Sequence, residues 1–373
     1  MHIMFIPSWY SNVRNKVHGS FFKEQALELQ KAGVKVTVAY NEVWPLTMLG
    51  KIHEEKGLKY NVEDGLKTYR YKNYNYIPKN PLMFKVFNKR MEKLYKEIVK
   101  KEGAIDIIHA QSSLWGGISA AYIAEKYNIP LVITEHSSVE RGPYVKKSYI
   151  PFICEKVITV GNGLKNEIES LSGRQDIEVI GNLVDLSKFT IKKRIKNEKF
   201  IFFSLAFLEG EKGFDTLIKS FAKKFKDKEA VLYIGGGGQR SWLEALTVEN
   251  GVKDQIIFLG ALSRDDVSKW MNKCDCFVLP SRYETFGVVY IEALASGRPV
   301  IGALNGGAED IINNLNGYLI PIDDIDILAE KMIEVYDNIE SYDEEEIRID
   351  CLKRFSPKVI VNKIISVYKE VLK

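Results

Sequence analysis

Residues 280–299 read PSRYETFGVVYIEALASGRP. The apolar run CFVLP (276–280) ends at the first proline, and a short loop then carries Glu284. From about Gly287 to Ser296 the chain is apolar over helical length, and Gly297 stops it. RPVIGA (298–303) then opens another apolar run. Strand, loop, helix and strand in that order make the repeating unit of a parallel sheet. Val288, Val289, Tyr290, Ile291, Ala293, Leu294 and Ala295 leave the helix no polar face, so it should be buried.

Glu292 is the only charge on that helix. A carboxylate in such surroundings is costly unless partnered. A buried Arg or Lys would serve, and so would the two hydroxyls of a ribose. The unpaired N–H groups and positive dipole end at Phe286–Gly287 suit a diphosphate. Glu284 lies beyond that seat. A nucleotide diphosphate sugar fits this order, with its ribose at Glu292, its phosphates at the helix start and its sugar hydroxyls at Glu284.

The same alternation extends to both sides. In the first half HIMFIP, VKVTVAY, DIIHA, IPLVITEH, VITVG and IEVIGN read as strands, with helical spacing at 19–31, 116–128 and 164–171. After the lysine-rich TIKKRIKNEK (190–199), read as a solvated linker, FIFFSLAF, VLYIGGGG, QIIFLG, CFVLP, RPVIGA and GYLIP begin a second series. Helices at 216–225, 240–249 and 287–296 lie between them. Alternation of this kind predicts parallel sheets covered on both faces, and 373 residues at about 150 per domain favour two such domains. In open parallel sheets ligands bind beyond the carboxyl ends of the strands, so two such units are expected to face a central cleft. The final PKVIVNKIISVYKEVLK predicts an amphipathic capping helix with Val359, Ile360, Ile364, Val367, Tyr368 and Val371 along one side.

Composition narrows the class. At 46% hydrophobic and 27% charged, the chain has the makeup of a folded globular protein, and no apolar run reaches the roughly 20 residues that span a bilayer. Four cysteines give neither a disulfide framework nor zinc-site spacing, and the expected location is a reducing cytoplasm. The net charge of +4 conceals a contrast: residues 1–182 hold 26 basic and 19 acidic side chains, and the remainder is net acidic. In the basic half, Lys85, Lys89, Lys93, Lys96 and Lys100 follow one edge of a helix expected at 80–101, with Leu82, Val86, Phe87, Leu94, Tyr95 and Ile98 on its apolar face. That edge is either a solvated border or a contact with an anionic membrane at the inner face of the cell membrane. Lysines interleaved with acids and no reader motif argue against nucleic acid.

Other apparent motifs fall away. Gly235–Gly238 would need a glycine at Arg240 to make the dinucleotide pattern. Asp324-Ile-Asp326 opens a helix, so capping explains it better than a metal. There is no P-loop, H-E-x-x-H or G-x-S-x-G.

With its two glutamates eight residues apart in PSRYETFGVVYIEALASGRPVIG, the chain resembles the retaining glycosyltransferases of family 4, which have the GT-B fold. PSWYSN, HGSFFKEQALEL, IDIIHAQ, LVITEHSS, VIGNLVD, EKGFDTLIKSF, YIGGGG, FLGAL and NGGAEDIINNLNGYLI follow in the family's order. The resemblance implies an α/β GT-B fold of two doubly wound Rossmann-like domains: an acceptor-binding domain at 1–185, to which a helix at 356–373 crosses back, and a donor-binding domain at 186–355. It implies transfer of a sugar from a UDP- or GDP-linked donor to a glycan, lipid-linked or small-molecule hydroxyl, in cell-surface polysaccharide or glycoconjugate synthesis. Neither metal nor cofactor is expected.

The resemblance also implies site residues. Glu284 would contact the donor sugar, with Thr285, Phe286, Gly287 and Val288 around sugar and phosphate, and Glu292 on the ribose. Lys212 would hold the diphosphate. His136 would stand beside the reacting sugar, Gly19 would let the backbone approach the diphosphate, and Ala261 and Leu262 would clasp the base. Three positions depart from the pattern. Phe207 stands where an arginine is frequent, leaving Arg282, Arg264 or Arg141 to supply a second cation. Asp310 stands in the place of a glutamate, with Glu309 adjacent, and Gln111 replaces a second histidine. A nucleotide-sugar epimerase on the same fold and a non-catalytic sugar-nucleotide-binding partner subunit are the alternatives.

Overall fold

Apolar runs become buried parallel strands in both halves of the chain. The computed structural model describes residues 1–12, 15, 18–141, 152–192 and 198–373. The linker expected at 190–199 falls in part on 193–197, outside the described residues. The chain divides into two compact units, residues 1–183 with 358–373, and residues 184–357.

In the first unit the order is β1 (His2–Pro7), α1 (Ser20–Lys31), β2 (Lys35–Trp44), β3 (Gly57–Glu63), β4 (Leu66–Tyr74), α2 (Met83–Glu102), β5 (Ile107–Gln111), α3 (Ile118–Tyr127), β6 (Leu131–Glu135), β7 (Lys156–Thr159), α4 (Asn162–Ser172) and β8 (Ile177–Val179). The sheet runs β3-β4-β2-β1-β5-β6-β7-β8. Every residue of β1, β5 and β6 is buried, as expected of central parallel strands.

The β3–β4 hairpin breaks the alternation. β3 is antiparallel to β4, while β4 lies parallel to β2. Strand–helix periodicity leaves these residues unassigned because β3 is a half-exposed edge strand with few apolar positions. The signal for it is local: Asp64-Gly65 sits between the two strands, and both residues have positive φ, 51° and 92°, as a two-residue hairpin turn requires.

α2 confirms the basic edge and corrects the apolar face. All five lysines of the edge are exposed. Leu82 and Val86 are exposed as well, whereas Met83, Phe84, Phe87, Met91, Leu94 and Ile98 are buried. The stripe is rotated because Met83 and Phe84 join Phe87 and Ile118 of α3 in a separate apolar cluster.

The second unit contains β9 (Phe200–Leu205), α5 (Phe214–Phe225), β10 (Ala230–Gly235), α6 (Ser241–Glu249), β11 (Ile256–Gly260), α7 (Arg264–Lys273), β12 (Cys276–Leu279), α8 (Val288–Ala295), β13 (Val300–Ala303), β14 (Gly317–Ile320), α9 (Ile325–Asp337) and α10 (Glu344–Phe355). Its sheet is parallel throughout, in the order β11-β10-β9-β12-β13-β14. Asp324 caps α9, accepting from the Asp326 and Ile327 amides, so the D-x-D is a helix start.

The last helix, α11 (Pro357–Val371), belongs to the first unit's core. Ile360, Val361, Ile364, Val367 and Tyr368 join Ile3, Phe5, Phe22, Val132 and Ile158 in one cluster. The Tyr368 hydroxyl meets His109 Nδ1 on β5 at 2.5 Å.

Candidate functional site

Two loops of the second unit, each following a strand, bring Lys212 and Glu284 together. The first, after β9, ends in Gly210–Lys212 and Gly213, whose φ of 68° starts α5. The second, after β12, runs from Pro280 to Gly287. Lys212 Nζ lies 2.6 Å from Glu284 Oε1, and Ser281 Oγ donates to the same oxygen at 3.0 Å. Both charged side chains keep some exposure, 23% for Lys212 and 16% for Glu284, so each can reach a ligand.

The loops are laced by backbone. The Arg282 amide donates to the Glu211 carbonyl at 2.7 Å. The Arg282 guanidinium holds both oxygens of Asp215, at 3.0 and 2.9 Å, and also meets Asp323 and the Gly210 carbonyl. Arg282 is therefore a strut of the loop rather than the substitute cation that Phe207 leaves wanting. Arg264 donates to the Asp185 carbonyl at 2.8 Å and approaches Glu292 at 3.9 Å. Arg141 belongs to the first unit.

α8 matches its expected composition, and Tyr290 through Ala295 are buried, although Val288 and Val289 keep partial exposure. The first amides of a helix have no intrahelical acceptor, and among the described residues no side-chain cap meets this start. Gly287 reaches this start with a φ of 97°. Phe286 is buried and Thr285 half-buried beside it. Glu292 is 7% exposed. Arg264 is a cation near it, at 3.9 Å.

The NGGAED segment leans on the same loop. Asn305 Nδ2 donates to the Ser281 carbonyl and its Oδ1 accepts from the Gly307 and Ala308 amides. The Glu284 amide donates to the Asn305 carbonyl at 3.3 Å. A Cβ on Gly307 would stand 2.6 Å from the Phe286 nitrogen. Glu309, not Asp310, closes the loop, accepting from the Gly306 amide at 3.0 and 2.9 Å. Ser281 and Asn305 are the supports that sequence reasoning missed. An asparagine before two glycines is a turn signal that points to the second of them.

Ala261 and Leu262 follow β11, next to the glycine-rich turn after β10. A Cβ on Gly235 would lie 2.8 Å from Leu262 Cδ1, and one on Gly237 would lie 3.7 Å from the Phe207 ring and 4.0 Å from Ala261. Phe207, 57% exposed, thus joins these two residues as an apolar border where a cation was expected.

In the first unit His136 follows β6 and is buried between Phe21 and Phe22. Its Nε2 meets Gln111 Oε1 at 2.8 Å and its Nδ1 meets Asn182 Oδ1 at 2.7 Å. Burial pulls the imidazole pKa down to about 4, and that of neighbouring His109 to about 3. A neutral ring has one N–H, so it cannot donate to both oxygens. Gln111, the departure from the family pattern, lies between the two histidines, with its Nε2 3.1 Å from His109 Nε2 and its Oε1 at His136 Nε2. Both ring nitrogens are engaged within the unit, so the role of His136 beside a sugar rests on the resemblance. Gly19 has a φ of 68°, and a Cβ there would stand 2.7 Å from the Trp9 carbonyl oxygen. The chain's own backbone already demands glycine at that position. Among the described residues no cluster of three or more His, Cys, Asp or Glu is placed to hold a metal, and no helix is long and apolar enough to cross a membrane.

Known proteins share the sequence pattern and the fold. Residues 185–348 match the family described as glycosyl transferases group 1, and residues 19–188 match glycosyltransferase family 4. The chain is 32% identical over 299 residues to an uncharacterised glycosyltransferase of Methanocaldococcus jannaschii, covering 74% of this chain and 79% of that protein. It is 26% identical over 299 residues to the N-acetyl-alpha-D-glucosaminyl L-malate synthase of Bacillus anthracis, covering 74% and 77%. Among solved structures, Anabaena HepE in complex with UDP superposes with a TM-score of 0.75 at 17% identity, covering 99% of this chain and 100% of that one. The fold is GT-B. Two family matches that meet near residue 185, and a relative followed over three quarters of its length, place the chain in glycosyltransferase family 4.

Proposed function

We propose that the protein transfers a sugar from a nucleotide diphosphate sugar to a hydroxyl of a glycan, lipid-linked or small-molecule acceptor, with retention of configuration and without a metal. The observation that carries this reading is the Lys212–Glu284 contact of 2.6 Å beside the uncapped start of α8. A cation and a row of free amides serve a departing diphosphate, and a carboxylate next to them serves sugar hydroxyls.

The second unit holds the donor, with its ribose on Glu292, its base against Ala261 and Leu262, and its phosphates at Lys212 and the amides of Phe286, Gly287 and Val288. Thr285 borders the sugar. Gly19 and His136 of the first unit, the acceptor-binding one, are carried as donor contacts on the resemblance. In the transfer step the acceptor oxygen bonds to the anomeric carbon on the face from which the nucleoside diphosphate departs. The carbon–oxygen bond to phosphate breaks, and a phosphate oxygen receives the acceptor proton. No side chain forms a covalent intermediate. Lys212 and the helix start carry the positive charge that a metal would otherwise bring, so transfer persists in EDTA.

Calorimetric titration with UDP and GDP tests the donor assignment. One of them should bind, and Glu292→Ala should weaken it about tenfold or more, since the ribose diol loses a charged acceptor. Equal affinity in the variant removes Glu292 from the site, and no binding of either nucleotide removes the reading. Incubation with donor alone should yield at most slow hydrolysis; an epimerised donor would reassign the enzyme.

The exposed lysine edge of α2 supports a peripheral contact with an anionic membrane, at the cytoplasmic face of the cell. Cosedimentation should occur with anionic vesicles, fade with salt and be absent with neutral ones. Equal retention on neutral vesicles rejects the electrostatic contact.

A further inference from the structure

Phe207 stands just beyond β9 with more than half of its surface exposed. The loop that carries it is tied down. The Leu208 amide donates to the Gly237 carbonyl at 2.7 Å, the Ala206 amide to the Gly235 carbonyl at 3.3 Å, and the Gln239 amide to the Leu208 carbonyl at 3.2 Å. The loop after β9 and the glycine turn after β10 thus form one surface that carries the ring. Ala261, exposed as well, borders it after β11. These are the carboxyl ends of three neighbouring parallel strands, the edge at which open sheets bind ligands.

The glycines of the turn are there for different reasons. Gly236 and Gly238 have φ of 137° and 124°, and an added Cβ would stand 1.8 Å from the Ala206 carbonyl oxygen and 2.9 Å from the Leu208 nitrogen, respectively. One on Gly235 would press on Leu262 and Leu205 at 2.8 and 3.0 Å. The fold itself explains glycine at those three positions. Gly237 is the exception: its φ is not positive. Chain neighbours aside, its added Cβ would meet, among the described residues, only Phe207 Cε2 at 3.7 Å and Ala261 Cβ at 4.0 Å. Those are ordinary van der Waals separations, so a methyl group would fit and gain contacts. Glycine at 237 keeps open a slot that the fold alone would favour filling.

We propose that Phe207 is the stacking partner of the donor's base, which enters the slot over Gly237 between the phenyl ring and Ala261. The proposal rests on the nucleotide-sugar reading above and assigns position 207 to the base rather than to the phosphates, where a cation was expected. A flat ring at this point lies at contact distance from both Phe207 and Ala261. A nucleobase has a π-face on either side and stacks on an aromatic side chain whatever hydrogen-bonding groups its edge carries. A phosphate would bring its charge against Phe207, Ala261 and Leu262, none of which can pair with it. A ring fixed by its own loop is also set in place before the ligand arrives, so little ordering is lost on binding.

Calorimetry on the full chain with UDP and GDP identifies the nucleotide that the parent binds, and the variants are compared on that one. Phe207→Ala should weaken it about tenfold or more, the usual scale for loss of one base–aromatic stack. Gly237→Ala, which puts a methyl group in the slot, should weaken it by a similar factor while melting no lower than the parent. In Phe207→Trp the nucleotide should quench emission beyond any change in the parent, because the new indole stacks on the base. Inorganic pyrophosphate, which has the charges without the base, and methyl glucopyranoside should leave that emission unchanged. Circular dichroism melts verify folding; if Gly237→Ala does not fold, the two variants at 207 decide. The proposal is overturned if Phe207→Ala or a folded Gly237→Ala binds the nucleotide as tightly as the parent. It is overturned equally if the nucleotide leaves the emission of Phe207→Trp unchanged, or if pyrophosphate or the glycoside quenches it. Each of those results leaves the donor reading standing, since the parent still binds a nucleotide. A parent that binds neither UDP nor GDP overturns both.

Discussion

Lys212→Ala and Glu284→Ala should each lower kcat for sugar transfer by about 10²–10³, the scale on which removal of one charge-stabilising group acts in a preorganised site. The two side chains touch at 2.6 Å, so they hold each other in place before any donor arrives. On the proposed function, loss of Lys212 removes the cation that serves the leaving phosphate and frees Glu284 to swing, and loss of Glu284 leaves the lysine present but removes the proposed acceptor for sugar hydroxyls. The double variant should therefore be little worse than either single one, because the residues act as a unit. Stability should change by less than about 1 kcal/mol, since the pair is partly exposed and screened. Near-normal turnover in both single variants, with folding intact, would remove the site from these loops.

Gly213→Ala should cost roughly 2–4 kcal/mol of stability and lower activity beyond what unfolding explains. The residue has a φ of 68°, and an added Cβ would stand 2.1 Å from the Pro280 carbonyl oxygen. One contact therefore sets the spacing between the loop that carries Lys212 and the loop that carries Glu284. Neither partner is a flexible side chain, so the backbones must part. Gly210→Ala, three residues earlier, is the comparison: nothing lies within 4 Å of its added Cβ and its φ is not positive. That variant should stay within about 0.5 kcal/mol of the parent. Chemical denaturation alongside kinetics on the folded fraction separates the two effects. Equal stability for both variants would show that the loops are not held at this point.

What could be read in the sequence follows the range of the interactions. HIMFIP, VITEH and CFVLP announce buried strands because burial on both sides of a parallel sheet admits few polar residues. The apolar turns of α8 and the charge of Glu292 could be read for the same reason. The β3–β4 hairpin could not be read from hydrophobicity, since an edge strand exposes half its side chains, although Asp64-Gly65 marked its turn. The face of α2 was misjudged by the width of one or two residues because its neighbours, Ile118 and Trp115, are about thirty residues downstream. Glu284 was singled out by its place before the apolar helix and Lys212 by resemblance, but their contact across 72 positions is a product of the fold. The same holds for the apolar cavity of the first unit, assembled from residues between Pro7 and Ser119, and for the contact of Gln111 with His136.

The return of α11 to the first unit sets a timetable for synthesis. Burial of Ile360, Val361, Ile364, Val367 and Tyr368 is worth about 1.5–3 kcal/mol for each large apolar side chain, a sum comparable to the whole net stability of a domain. Until those residues leave the ribosome, the N-terminal segment has a gap along its sheet where β1, β5 and β6 would meet solvent. The second unit is contiguous between residues 184 and 357 and can close as soon as it emerges. The usual order of domain completion during translation is thus reversed: the part of the chain made first is finished last, and a nascent chain stopped short of residue 358 carries a complete second unit and an unfinished first one.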